Sequence, residues 1–382
     1  MAVLIAALAP TAAAQTPITS LGLGYTVPAL DARAAALGGS GLGLAGGSLG
    51  SANPADLLAF SRLTVGLTFA PEDVEVDGPA GSVNTGRSRV PLLRIVLPRD
   101  EWRLALGFTS ELDQDWSATF QDTIRTEFGT FPFDERREQD GGVSAVNLAV
   151  ARNFGPVGLG VEGSIFTGNL RQDFTRSFEP SIEDLTTIAT SSGEARFRYT
   201  GLRLRGGAVL SPRPGLRLSG LVSVAGDLEV ERDTLEGIAR PEAEFSMPVE
   251  WAVGGSYRAT PRLLVNAGLG WAGWSDSADQ FAALDADDAW WFGAGVEYTG
   301  ARLLGLGVPL RGGIRRRDLP FHSAGTSQLR ETALTLGAGI AVAEDLARFD
   351  LSLELGSRGD LQDSGVEESF TRFSVSITLL QR

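Results

Sequence analysis

Few residues in this chain are able to do chemistry. The stretch GGSGLGLAGG, Gly38 to Gly47, contains the string G-x-G-x-x-G at Gly41, Gly43 and Gly46. Such a string cradles a dinucleotide's phosphates only when it follows a strand, opens a helix and precedes an acidic residue by about twenty positions. Here it follows DARAAAL and runs into SANPADLL, where Asn53-Pro54 breaks any helix. No βαβ pattern surrounds it, which argues against nucleotide binding. There is no cysteine, and all 33 basic residues are arginine. Thiolate metal sites, Schiff-base lysines and the P-loop lysine are therefore absent. The single histidine, His322, sits in the loop-like DLPFHSAG without an evident catalytic partner, so a lipase or protease built on a Ser/His or Asp/His pairing is not expected. Acid pairs such as Glu135 with Glu138 lie in acidic loops, where they are solvated or bind divalent cations shared with lipopolysaccharide. The expectation is a non-enzyme with no cofactor and no resident metal. A net charge of -14 argues against nucleic acid as a partner.

The elements that position these residues have two regimes. The N-terminus, MAVLIAALAPTAAAQTP, reads as a secretory signal: an apolar run from Ala2 to Ala9, then an A-x-A site at Ala12 to Ala14 before Gln15. Residues 1–14 are expected to be removed. The run is far shorter than the about 18 residues of a membrane helix, and nothing later in the chain is longer. From Ser61 onward the signal has period two. In TRFSVSITL, Phe373, Val375, Ile377 and Leu379 alternate with Arg372, Ser374, Ser376 and Thr378. About fourteen such segments follow one another, joined alternately by short turns (LPRD, NFGP, SPRP, ATPR) and long loops (111–142, 168–194, 226–244). That rhythm predicts an all-β chain: a transmembrane antiparallel β-barrel of about 14 strands over 61–382. A soluble sandwich or solenoid does not keep this alternation of loop lengths. Aromatics near strand ends, Trp102, Phe108, Tyr257, Trp271, Trp290 and Tyr298, fit interfacial girdles.

The opposite face of the strands would line the lumen. It carries Arg196, Arg198, Arg203, Arg205, Glu250, Glu297, Arg311, Arg315, Glu331, Asp350, Glu354 and Arg372. These charges are expected to form ion pairs that prop the barrel and bind its plug, or to meet a ligand's polar group. Between Tyr199 and Leu202 the outward phase slips by one residue, which predicts a bulge near Thr200-Gly201. In the loop 111–142, Trp116, Phe120, Ile124 and Phe128 recur every four positions, which predicts an amphipathic helix over the barrel mouth. Its apolar face is either a capture groove for a hydrophobic molecule or a packing surface for neighbouring loops.

Residues 15–60 show no alternation. Gly22-Leu23-Gly24, an Ala/Gly-rich run and then Asn53-Pro54-Ala55 precede the first strand. Farther on, MPVEWAVGGSYRATPRLLVNAGLGWAGWSDSADQF (residues 247–281) combines a proline-containing strand, an x-x-P turn and a strand ending in Trp-Ser. Both stretches resemble the FadL-like outer-membrane transporters of long-chain fatty acids and other hydrophobic compounds, and the likeness covers nearly the whole mature chain. The resemblance implies an N-terminal hatch, residues 15–60, folded inside the barrel. There the glycines of GGSGLGLAGG would serve close packing. It also implies passive uptake of a hydrophobic ligand in the bacterial outer membrane, exit sideways into lipid, and a monomer. Arg203, Arg205 and Arg311 are candidates to orient a carboxylate, and Gly107 is the candidate for the strand kink of a lateral exit. PorV-like members of the same superfamily instead grip a protein client, which the nine acidic residues against three Arg in 111–140 would suit. The ending SITLLQR departs from the family's final aromatic.

Overall fold

The computed structural model describes residues 18–381 except 79–80, 127–128, 179–189, 234–238, 281–283, 304, 324–325 and 343–345. The expected signal segment lies outside the described residues. Fourteen antiparallel strands close a barrel. They are β1 (Thr64–Gly78), β2 (Gly81–Arg99), β3 (Trp102–Asp113), β4 (Gly129–Phe154), β5 (Val157–Phe178), β6 (Ser191–Arg213) and β7 (Leu216–Ala225). The second half comprises β8 (Glu250–Thr260), β9 (Leu263–Ala272), β10 (Ala289–Tyr298), β11 (Leu310–Asp318), β12 (Arg330–Val342), β13 (Ala347–Asp360) and β14 (Val366–Leu380). Each pairs with its sequence neighbour, and β1 closes on β14 from Thr64↔Leu380 to Asp77↔Glu367. Every alternating segment of the sequence has its strand. No helix among the described residues is long and apolar enough to cross a membrane.

Several strands run well past the alternation that announces them; β4 has 26 residues, β5 22 and β6 23. The reason is visible on β6. Outward from it point Leu202 and Leu204, both exposed, whereas Arg196 and Arg198 point outward above them. Phe197, Tyr199 and Arg203 all face inward. The pairing with β5 runs without a shift from Arg176↔Ser191 to Val157↔Leu210. There is therefore no bulge at Thr200-Gly201. The apparent slip is an inversion of polarity where the strand leaves the bilayer: lipid selects an apolar outer face below that level, water a polar one above it. The same switch separates Leu67 and Phe69 from Asp73 and Glu75 on β1. The apolar stretch Leu202–Leu210 of β6, tilted as barrel strands are, spans roughly 23 Å, close to the ~25 Å band of outer-membrane barrels.

Residues 18–60 fill the lumen. Helix α1 (Ala32–Ala36) is capped by Asp31, whose carboxylate accepts from the Ala34 N–H at 2.8 Å. Ala32, Ala34 and Ala36 have no exposed surface, and the helix packs on β11 to β14. Small side chains are required because plug and wall backbones touch. A Cβ at Gly293 on β10 would lie 2.0 Å from the carbonyl oxygen of Gly38. Gly38 itself has φ +78, a backbone conformation that favours glycine.

Candidate functional site

Above the membrane level part of the lumen is apolar. Leu23, Leu112, Val143, Phe166, Leu170, Tyr199, Leu228, Trp274 and Phe321 form one buried cluster. Beneath it lies a cavity of about 260 Å³ between the plug and the wall of β8 to β11. Five tryptophans border it: Trp251, Trp271, Trp274, Trp290 and Trp291. Trp291 faces inward, and Trp274 is buried with its ring edge-on to Phe321 at 5.1 Å. Trp251, Trp271 and Trp290 are direct cross-strand partners on the outer face. The inner face at this level carries the small Ala252, Ala272 and Ala289 beside Glu250 and Trp291, and the small residues let the cavity reach the strands that bear the outer row. The plug contributes Thr26 to Leu30, Gly39 and Leu42.

Three guanidinium groups border the cavity with donors to spare. Arg315 spends one terminal nitrogen on Glu331 at 3.0 Å and Glu354 at 2.7 Å, while its Nε and other terminal nitrogen meet no acceptor. Arg317 donates to the Thr26 carbonyl at 2.8 Å and to Glu331 at 3.3 Å, leaving Nε free. Arg205 reaches Glu162 at 3.3 Å and leaves Nε free. Buried donors without acceptors are costly, so these atoms mark a place where an acceptor is missing.

Two anchors hold the plug. The Asn53 carbonyl oxygen caps the turn Pro54–Ala59 by accepting from Ala55 N–H at 2.8 Å. Its amide donates to the wall at Ala208 O (2.8 Å), Ser219 Oγ (2.7 Å) and Gly220 O (3.0 Å). Pro54 and Ala55 press on Gly160, where a Cβ has no room. The second anchor is Tyr25, which is 2 % exposed. Its hydroxyl donates to Glu331 at 2.7 Å and accepts from Arg372 at 2.9 Å. The guanidiniums of Arg358 and Arg317 lie 4.4 and 4.8 Å from its ring centre, a cation–π arrangement. Gly22 and Gly24, with φ +54 and +87, shape the turn before it; Gly22 rests on the Phe321 ring.

Tyr25 leads to a break in the wall. The β2–β3 ladder runs from Arg99↔Trp102 to Leu92↔Thr109 and stops. Beyond it β2 pairs only with β1, and Pro91 has no N–H to offer. The free edge of β3 is taken by the plug: Tyr25 pairs with Asp113 and Thr26 with Leu112, and Val27 N–H donates to Glu111 O at 2.8 Å. A register shift between Ser110 and Leu112 bulges β3 at this level. The gap is bridged by an Arg89–Asp113 ion pair and by Ser110 Oγ donating to Val90 O at 3.0 Å. The break is not at Gly107, which stays in regular register with Arg94 and Asn147.

The expected ligand residues are distributed differently. Trp116 to Thr126 form a strand paired with β4, not a helix. A spacing of four is even, so it serves a strand face as well as a helix face, and pairing with β4 decides. Trp116 borders a groove with Phe174 and Arg176, apart from the cavity, and Ile124 is half-buried. Phe120 pairs with Glu135 in register, and Phe128 lies outside the described residues. Arg203 is locked in a two-pronged bond to Glu111 (2.8 and 2.7 Å). Arg311 is held between Glu297 and Asp350, both at 2.7 Å. Only Arg205 of the three borders the cavity. Arg196 and Arg198 lie outside the lumen. Glu135 accepts from Arg137 and Arg176 and Glu138 from Arg136, so this acid pair is internally neutralised. Among the described residues no cluster of three or more His, Cys, Asp or Glu is placed to hold a metal. Trp291 and Arg317 are the cavity residues that the sequence reading missed, whereas Arg315 stood among the expected luminal charges; inward parity beside one another on β10 and β11 was their only signal.

Residues 215–382 match the BamG family. No curated protein matches the sequence. Among solved structures, the Ralstonia pickettii toluene transporter TbuX aligns with TM-score 0.57 at 16% identity over 92% of this chain and 98% of its own. The P. putida toluene transporter TodX gives 0.59 at 15% over 92% and 97%. A Pseudomonas aeruginosa FadL homologue gives 0.60 at 14% over 93% and 99%. The closed fourteen-strand barrel and its apolar belt are those of a bacterial outer-membrane protein, and the fold is similar to that of the FadL-like barrels.

Proposed function

We propose that the chain is a passive channel for hydrophobic small molecules, which enter from the apolar vestibule, rest in the tryptophan-bordered cavity and leave through the wall between β2 and β3. The observation that carries this reading is the replacement of β2 by the plug strand Tyr25–Thr26 on the edge of β3. Thr26 and Val27 border the cavity on one side, and Val27 also borders a small void with Ala70 and Pro91 beside the gap. A shift of these residues joins cavity to bilayer without opening a water-filled path along the barrel axis. Burial of each ligand CH₂ contributes about 0.8 kcal/mol, so apolar surface alone supplies affinity. The likeness to toluene transporters supports a compact hydrophobic ligand as cargo.

The protein-client reading rests on acidic loops, and it is weakened by pairing. Four of the nine acids in 111–140, namely Glu111, Asp113, Glu135 and Glu138, are engaged by arginine.

The chain has no cysteine, so a disulfide between Val90→Cys and Ser110→Cys closes the gap selectively. Uptake of a hydrophobic tracer into cells carrying the oxidised variant is expected to fall to background and to return on reduction. Unchanged uptake with the disulfide formed refutes the lateral route.

A further inference from the structure

Apolar burial explains why a hydrophobic molecule enters the cavity, but it leaves the spare arginine donors without a purpose. Arg315 is 5 % exposed, and two of its three nitrogens lack an acceptor. One of these nitrogens lies 3.3 Å from where a Cβ of Gly39 would be, and Gly39 also borders the cavity. Arg317 sits directly across from Trp291 in the β10–β11 register, and Arg315 across from Gly293, where the plug backbone at Gly38 and Gly39 packs in place of a wall side chain. The carboxylates that border the same cavity are already engaged: Glu111 by Arg203, Glu250 by Arg205 at 3.7 Å, Asp318 by Arg330 at 3.2 Å. The unmet demand is therefore for an acceptor, and for a negative one.

We propose that the preferred cargo is an aromatic compound of one or two rings bearing a carboxylate or similar anionic oxygen. The rings lie against Trp291 and Trp274, and the anion accepts from Arg315 once the plug backbone that covers its free donors at Gly38-Gly39 shifts, with Arg317 and Arg205 adding positive field. This deepens the channel reading and rests on it. The size agrees: an apolar cavity of about 150 Å³ holds benzene, and this one measures about 260 Å³. A planar ring presents a face to indole, and guanidinium forms its best-directed bonds with carboxylate.

The test is calorimetric titration of the full chain in detergent micelles, at neutral pH, with 2-naphthoate, its uncharged analogue 2-naphthamide, and dodecanoate. Expected is binding of 2-naphthoate about ten- to a hundredfold tighter than of 2-naphthamide, as for a hydrogen bond to a charged group, and also tighter than of dodecanoate. In Arg315→Gln that preference is expected to vanish while 2-naphthamide binding persists. The wild-type comparison stands even if the variant does not fold. Equal affinity for 2-naphthoate and 2-naphthamide overturns the anionic preference and leaves the channel reading intact. Dodecanoate binding as tightly as 2-naphthoate overturns the aromatic preference. Failure of all three to bind overturns the channel reading itself.

Discussion

Tyr25→Phe is the most direct probe of how the plug holds the wall closed. The hydroxyl donates to Glu331 at 2.7 Å and accepts from Arg372 at 2.9 Å and Arg358 at 3.3 Å. Its removal strands none of these groups. Glu331 keeps Arg315, Arg317 and Arg358; Arg372 keeps Glu72 and Glu354; Arg358 keeps Glu72 and Glu368. The phenyl ring also stays among the guanidiniums. The net loss is therefore that of about one charge-assisted hydrogen bond, ~1.5–3 kcal/mol, rather than the larger cost of an unpaired buried ion. If that energy holds Tyr25–Thr26 on the edge of β3, the strand opens roughly 10- to 150-fold more often. Hydrogen exchange by mass spectrometry in lipid nanodiscs reads this directly. Peptides covering residues 18–30 are expected to exchange faster by that factor, with β5 and β6 peptides unchanged. Unaltered exchange at 18–30 refutes the anchoring role. Equal acceleration throughout the barrel refutes it too, because Tyr25 would then stabilise the whole molecule and not the closure.

Asn53→Ala removes the cap of the Pro54–Ala59 turn and three bonds to the wall, a loss of about 3 kcal/mol in plug seating. Tryptic cleavage after the buried Arg33 is expected to accelerate while the barrel keeps its heat-modifiable mobility. The polarity inversion makes Val161→Arg, in the apolar belt of β5, destabilising by about 2–4 kcal/mol, and Arg198→Leu, above it on β6, nearly neutral; urea titrations of folding into lipid compare the two. Burial raises the pKa of the Glu135 carboxyl, but bonds from Arg176 and Arg137 outweigh it and hold it below 4.5. Its contribution to the β4–β5 extension is thus present above about pH 4.5 and lost as pH falls through the lower folded value. Protection of residues 133–140, corrected for intrinsic exchange, is expected to be flat from neutral pH to that point and to drop below it, and Glu135→Gln is expected to abolish the drop.

Strand alternation, loop rhythm and the glycine-rich, strand-free N-terminus made the barrel and its strand count readable from the sequence. Those features act through local periodicity: each strand must show one face to lipid and the other to a polar interior, and residue types record that constraint one strand at a time. The same reasoning failed where the surroundings change along an element. On β6 the outer solvent switches from lipid to water between Leu202 and Thr200, and this imitates a register slip. In Trp116–Thr126 a four-residue spacing suits both helix and strand, and only the partner strand β4 settles it. The candidate site was least legible of all. Arg203, Arg311 and Arg315 are the same residue type on the same luminal face. Whether a guanidinium is consumed or left with free donors depends on carboxylates far away in the chain. The break beside β3 likewise exists because Tyr25–Thr26, nearly ninety residues upstream of Leu112 and Asp113, takes an edge that β2 leaves unpaired. Periodicity is a property of neighbours in sequence; pairing, and with it the site, is a property of neighbours in space.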